Sequence, residues 1–472
     1  MLGGSGTVRI LLAAFCVATI CGLSAADWPQ FRGPGALGLS DSADVPVGFG
    51  PDQNLVWRTP APSGKSSPVI VGDHIYLTGA KDNELFTEAY ERGSGKRLWR
   101  SAVTVRFEHR THELNHRAAP TPAADENGVY VFFPTFGLIA FDTEGKERWR
   151  VPLGPVESEH GVSTSPILFE DRVILVLDHM RDSWIAAYST TDGKQLWKTG
   201  RESGVGAYST PTVGRSKEGR TEIVVSGPFR VMAYAPETGR ELWRVVGAGR
   251  APKASPVVVD GVAYVWGGGG RSSGGAFPLD RFMARFDENK DGVMNVTELP
   301  YPMGRSFEAM DIRYGNGDGI IEAGELDNIP TARAVTLAIR LGGDGDVTST
   351  HEVWSWEKGL TEVPTPLVYN GVVYMMHTGG ILRTLSQDTG ELLHEGRLPD
   401  YLDKFFASMV VANGKVYASS ELGKVSVFEA GAEWKHLATN DLAEEIYATP
   451  ALADGRIYIR TNKTLYCFGS SK

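Results

Sequence analysis

Twelve residues, Asp287-Glu-Asn-Lys-Asp-Gly-Val-Met-Asn-Val-Thr-Glu298, set oxygen donors at intervals that suit one hard cation. Asp287, Asn289 and Asp291 offer side-chain oxygens at positions 1, 3 and 5, and Val293 offers its carbonyl at position 7. Asn295 reaches from position 9, directly or through water, and Glu298 can bind with both carboxylate oxygens from position 12. Gly292 permits the sharp turn at position 6, and three carboxylates offset the ion's charge. A cation preferring about six to eight oxygens needs this mixture, so calcium is the expected ligand. The bland alternative is an acidic turn that holds no metal.

The spacing is that of an EF-hand loop along its whole length. Phe282 and Phe286, four residues apart, would form the apolar face of the entering helix. A second loop starts 27 residues later, at Tyr314-Gly-Asn-Gly-Asp-Gly-Ile-Ile-Glu-Ala-Gly-Glu325. There Asn316, Asp318, Ile320, Glu322 and Glu325 fit positions 3, 5, 7, 9 and 12, with Gly319 at the turn. Position 1 is Tyr314, so an important ligand is missing. A pair of loops is expected, joined at position 8 by Met294 and Ile321, with metal in the second an open question. Phe307, Met310 and Tyr314 follow helical spacing and read as core, and Pro300 and Pro302 keep the helices short. Near Leu341, Gly-Gly-Asp-Gly-Asp346 lacks a closing Glu and reads as a turn.

His112-Glu-Leu-Asn-His116 spells a zinc-protease signature, whose chemistry needs both histidines on one face of a helix. The motif runs at once into Arg-Ala-Ala-Pro-Thr-Pro122, after the β-branched Val103-Thr-Val105, which leaves little room for a helix. His112, His116 and His160 are expected instead to be hydrogen-bonded loop residues, the alternative being a polar or metal-binding cluster.

A repeat must position these groups. A small residue, a proline, and an apolar or aromatic residue eight positions later recur at Pro68, Pro122, Pro166, Pro256, Pro366 and Pro450. Met409 fits with methionine for proline, and Pro211 fits with a lengthened turn. These eight units are spaced by 54, 44, 45, 45, 110, 43 and 41 residues, so the fifth contains an insertion. Each unit closes with a glycine turn and a tryptophan four residues on, as in Gly95/Trp99, Gly145/Trp149, Gly193/Trp197 and Gly239/Trp243; His394 takes that slot after Gly390. Four short strands per unit describe an all-β, eight-bladed β-propeller with a small α-helical EF-hand insertion in blade five. The expected organisation is a signal peptide at 1–26, blades one to four and the start of blade five at 27–266, the insertion at 267–335, and the remaining blades at 336–468. The last unit lacks its outer strand, and residues 54–58 are expected to supply it and close the ring. The insertion replaces the loop between strands two and three of its blade. It should therefore rim the channel mouth beside the polar links carrying His116, His160, Tyr208, Lys253, Glu362 and Tyr447.

These units, with their Thr-Gly-Lys…Trp blade endings, resemble the PQQ-like, quinoprotein alcohol dehydrogenase-like propellers, and Trp28-Pro-Gln-Phe-Arg-Gly-Pro34 is similar to the start of an exported bacterial branch. The resemblance covers residues 28–265 and 335–468 and implies the fold; the tryptophans read as packing between blades. It also implies an alternative function, a PQQ-dependent dehydrogenase with quinone, calcium and an Asp base in the channel. No Glu/Asn/Asp cofactor set maps onto specific positions, and adjacent cysteines are absent, so PQQ is not expected. The favoured expectation is a non-catalytic scaffold binding an unknown protein or small-molecule ligand at the propeller face, as in the propeller of the outer-membrane protein assembly machinery.

Composition agrees. The chain has 472 residues, 57 acidic and 47 basic, and a net charge of −10, which argues against a nucleic-acid partner. Arg9, the apolar run Ile10 to Leu23 and Ser24-Ala25-Ala26 read as a secretory signal cleaved before Asp27. The expected location is periplasmic or extracellular. The mature chain would keep only Cys467 and no transmembrane segment, leaving packing rather than a disulfide to hold the fold.

Overall fold

The computed structural model describes residues 27–470, apart from short stretches at 106–111, 155, 157, 159, 180–181, 202–204, 268–278, 301–302, 323–324, 326–331, 362 and 400–401. The signal-peptide reading therefore lies outside the described residues. Alternating apolar strands separated by glycine turns fold into eight antiparallel sheets of at least four strands among the described residues. Blade one is typical: Val69–Val71, His74–Lys81, Glu84–Glu91 and Arg97–Thr104 run from the axis outward. The expected ring closure is present. Leu55–Pro60 pairs antiparallel with Thr464–Gly469 and becomes the outer strand of blade eight.

Two sequence repeats hold neighbouring blades together by different contacts. At the periphery, the tryptophan of one blade lies on the turn glycine of the next. A Cβ on Gly145 would meet the Trp99 ring at 2.5 Å, and one on Gly239 would meet Trp197 at 2.3 Å. Positive φ at both glycines (84° and 70°) adds a backbone reason for the residue. The indole N–H then donates to a carbonyl of that next blade: Trp99 to Thr143 at 2.7 Å, Trp149 to Thr190 at 2.9 Å, and Trp197 to Pro236 at 2.9 Å. Blade six, with His394 in the slot, instead sets that ring edge-on against Trp434.

At the axis, the small residue before each proline or Met409 carries a hydroxyl. Ser67, Thr121, Ser165, Thr210, Ser255, Thr365, Ser408 and Thr449 form a closed belt in which each backbone N–H donates to the hydroxyl of the next blade, at 2.9–3.0 Å. The last step runs from Thr449 back to Ser67.

Below this belt the N-terminal segment threads the channel. Trp28 pairs with Ile70, Pro29 accepts from Ala124, and the Gln30 side chain accepts from Leu168, each partner three residues beyond a belt hydroxyl. Arg32 is fully buried, donating to the carbonyls of Ala36, Leu37, Thr365, Pro366 and Met409. Leu39–Ser40 then lies parallel to Val410–Ala412 as a fifth strand of blade seven.

The break in blade five falls where expected: Val262–Trp266 pairs with Thr336–Arg340, and the insertion leaves and returns between them. One reading needs correction. Gly345–Asp346 is not a free turn but pairs parallel with Trp243 and Arg244 at the edge of blade four.

Candidate functional site: the channel mouth and the inserted lobe

The links entering the blades form the mouth, and those of blades one to five are tied in series. Lys65 donates to the Leu114 carbonyl at 2.8 Å, Asn115 to His160 at 2.7 Å, Ser163 to Tyr208 at 3.3 Å, and the Tyr208 N–H to Pro252 at 3.0 Å. They surround a well of about 270 Å³ above the belt, closed beneath by Phe31. Of the expected mouth residues, His160, Tyr208, Lys253 and Tyr447 line it; Glu362 lies outside the described residues. His112 lines it too, its ring edge-on to His160 at 5.1 Å.

His116 is a hydrogen-bonded loop residue, as expected, and does not join the alternative cluster. It turns away from the well toward Ser63 Oγ at 3.3 Å, so the two histidines of the protease-like motif do not converge, and residues 112–116 form no helix. Burial, with Arg460, Lys65 and Arg117 nearby, pushes the His116 imidazole from 6.5 down to about 4. The folded chain thus takes up this proton less readily than the unfolded chain. The stabilisation is complete above about pH 6.5 and is lost as pH falls toward 4. His116→Gln should flatten the acid limb of stability in that window, which urea unfolding at pH 6.5 and 4.5 would measure.

Cations crowd the well, and among the described residues none of them has a carboxylate within ion-pair distance. Lys65 sits 3.5 Å over the Tyr447 ring, and burial lowers its pKa against the opposing fields of Glu421 and Glu445. Burial also pushes down the Arg32 guanidinium, to about 9, and that of Arg460, to about 10. Arg460 donates only to Ser66, Pro62 and Thr78.

The inserted lobe rises beside this mouth. Helices Leu279–Phe286 and Met303–Tyr314 each precede a loop, and the loops are joined by the pairs Met294↔Ile321 and Asn295↔Ile320, the junction the spacing predicts. Met294, Leu299, Phe307, Met310 and Ile321 form its core, with Met283, Phe286 and Tyr314 partly buried against it. Val205, Phe229 and Ala251, from the mouth-side loops of blades three to five, complete that core, so the lobe lies on the mouth face. The side chain of Phe282 lies outside the described residues.

In the first loop the Gly292 N–H donates to Asp287 Oδ2 at 3.2 Å, Asp291 to Asn289 Oδ1 at 2.9 Å, and Val293 to Asp291 Oδ1 at 2.9 Å. Glu298 Oε2 accepts from the Asn295 N–H at 3.0 Å, and Asn295 Oδ1 accepts from Thr297. These bonds hold all five side-chain candidates within the turn of the loop, Asn295 as the cap of Val296–Glu298. Asp287 Oδ1 is buried and has no hydrogen-bond partner. Among the described residues no three His, Cys, Asp or Glu side chains converge as a metal-binding group by themselves.

The second loop is built differently. Asp318 Oδ1 accepts from Ile320, Asn316 Oδ1 from Asp318, and Glu325 from both Asn316 and Glu322. The missing position 1 is taken by Asp311, one helical turn before Tyr314 and 1% exposed. Its Oδ2 accepts from the Gly319 N–H at 2.7 Å, as Asp287 does from Gly292, and its Oδ1 accepts from Gly317 at 3.0 Å. Both oxygens of Asp311 are engaged with amides, whereas Asp287 keeps one spare. Asp311 escaped the sequence analysis because it lies outside the twelve-residue frame; an acidic residue three positions upstream was the available signal.

Among the described residues no helix is long and apolar enough to cross a membrane. The family model described as outer membrane protein assembly factor BamB matches residues 50–179, 181–292 and 324–472. Residues 28–40 in the channel and most of the paired loops fall outside those matches. The BamB of Yersinia pestis is 23% identical over 398 residues, covering 79% of this chain and 88% of its own. The solved BamB of Moraxella catarrhalis superposes with a TM-score of 0.54 at 13% identity, covering 88% and 98% of the two chains. A quinohemoprotein alcohol dehydrogenase from Pseudomonas putida HK5 does so at 0.55 with 11% identity, covering 95% and 81%. At such identities the two structures speak for the fold alone.

Proposed function

Because the chain belongs to the family described as outer membrane protein assembly factor BamB, we propose that it is an exported, non-catalytic propeller that binds a protein partner at its mouth face, beside a calcium-holding EF-hand lobe. The observation that carries the non-catalytic reading is the lining of the well. Among the described residues it offers lysines, histidines, tyrosines and hydroxyls but no carboxylate to serve as the base of a quinone-dependent oxidation. The one cysteine among the described residues, Cys467, is buried in blade eight, where burial raises its pKa to about 11.

The calcium reading rests on Asp287 Oδ1. A buried carboxylate oxygen without a partner is unfavourable unless a cation or donor meets it. Asp287, Asn289, Asp291, Asn295, Glu298 and the Val293 carbonyl would hold the ion, whose charge would offset that of four carboxylates against the single Lys290 in this loop. In the second loop Asn316, Asp318, Ile320, Glu322 and Glu325 are arranged around Asp311, which already closes the loop through two amides. We assign one calcium per chain, in the first loop. Its role is structural, ordering a small lobe that has little core of its own.

Two experiments test the scaffold. Purified protein given PQQ and calcium should show no dye-linked alcohol oxidation; turnover would overturn the reading. A photo-crosslinker at Glu113→Cys on the mouth should capture an envelope protein that one at Asp73→Cys, on the opposite face, does not. Capture from Asp73 alone would place the docking face wrongly.

A further inference from the structure

We propose that the axial well is a binding site for a carboxylate group carried on an apolar body. Its floor is the hydroxyl belt, and the belt's own bonding fixes what that floor can offer. Each of the eight oxygens accepts a backbone N–H from a neighbouring blade, so each hydroxyl proton must be donated elsewhere. Among the described residues none of these eight O–H groups has an acceptor. All eight residues are only 2–4% exposed and all line the well. A ring of buried donors without acceptors favours a ligand that only accepts, which is what an ionised carboxylate does.

Charge selects the same ligand. Lys65 and Lys253 stand in the wall; Arg32 lies beneath the belt, bonded to the carbonyl of its Thr365, and Arg460 lies beside it, bonded to Ser66. None of the four is within ion-pair distance of a carboxylate among the described residues. Among the described lining residues the only formal charges are the positive ones of Lys65 and Lys253, a local exception in a chain of net charge −10 that draws anions in and repels cations. The terminal nitrogens of both guanidinium groups are already bonded to backbone carbonyls, and among the described residues only Arg460 Nε is left without a partner. They lend charge but no fork for a phosphate, and that favours the smaller, planar anion. Phe31, Leu114, Val363 and Phe406 give the remaining surface an apolar character, which suits a hydrocarbon or aromatic body attached to the carboxylate. Phe31 belongs to the N-terminal segment, so the well is blind and is entered only from the mouth.

This site stands apart from the protein-docking and calcium readings, and its test needs neither a partner nor the ion. Calorimetry on the full mature chain with calcium chelated would compare 4-phenylbutyrate, its uncharged amide and phenyl phosphate. A second arm would compare a pentapeptide ending in phenylalanine with a free and with an amidated C-terminus. The free acid should bind about tenfold or more tightly than the amide. Lys65→Gln and Lys253→Gln should each weaken it about fivefold or more, with unchanged unfolding midpoints. Binding of the small acid alone would assign a small-molecule carboxylate; binding of the free-ended peptide as well would assign a chain terminus. Equal binding of acid and amide, tighter binding of the phosphate, or no binding in either arm would overturn the proposal.

Discussion

Glu298→Gln should weaken calcium binding by about 100-fold or more, because a neutral amide cannot replace a carboxylate that binds with both oxygens. Modules of the extracellular type bind calcium at about 10⁻⁴–10⁻³ M, so a loss of that size would erase the calorimetric signal. The same change keeps an amide oxygen that can accept from the Asn295 N–H, so the cap of the short turn Val296–Glu298 survives and the loss falls on the ion. Glu325→Gln, at the matching position of the second loop, should leave the affinity within about twofold if only the first loop holds the ion. The contrast between these variants distinguishes a specific site from general acidity of the lobe. A wild-type chain that gives no heat with calcium, or two variants that lose equally, would contradict the assignment.

The second large effect concerns the ring itself. Trp197→Ala should destabilise the propeller by about 3–5 kcal/mol, the usual range for removing a buried aromatic ring. The indole is 9% exposed, lies on Gly239 of the next blade and donates to Pro236 at 2.9 Å. Gly239→Ala attacks the same contact from the other side, by pushing a Cβ into the ring and by straining a residue with φ of 70°. Because both changes break one contact, the double variant should lose less than the sum of the singles. Additive losses in urea unfolding would show that tryptophan and glycine act separately.

That dependence explains why the propeller was legible in the sequence. The Gly…Trp spacing recurs because a turn without a side chain seats the neighbouring blade's indole at Gly95, Gly145, Gly193, Gly239 and Gly390. The small-residue–proline step recurs because every blade must supply one hydroxyl to the belt. Both rules act between adjacent units and leave a mark at each repeat. What stayed hidden lacks that periodicity. Trp28-Pro-Gln-Phe-Arg-Gly-Pro34 occurs once, and its place in the channel depends on partners as distant in sequence as Met409. Arg460 reads as one more strand residue until the fold brings it against Pro62 and Ser66. In the lobe, the donors of the first loop were legible because a metal loop is local. Asp311 was not, since its role appears only when the helix before the second loop turns it toward the Gly317 and Gly319 amides. The alternative that put His116 with His112 and His160 rested on their shared place in the links entering the blades, and the turn of its own link sends His116 to Ser63 instead.

The account is tested most directly by a crystal structure of the mature chain grown with calcium, with the ion located by its anomalous scattering. It predicts one ion per chain on the mouth face of the ring, held by Asp287, Asn289, Asp291, the Val293 carbonyl and Glu298, with Asp311 still bonded to Gly317 and Gly319. An ion seated in the second loop with Asp311 as its ligand, or bound in the axial well and absent from the lobe, would contradict it.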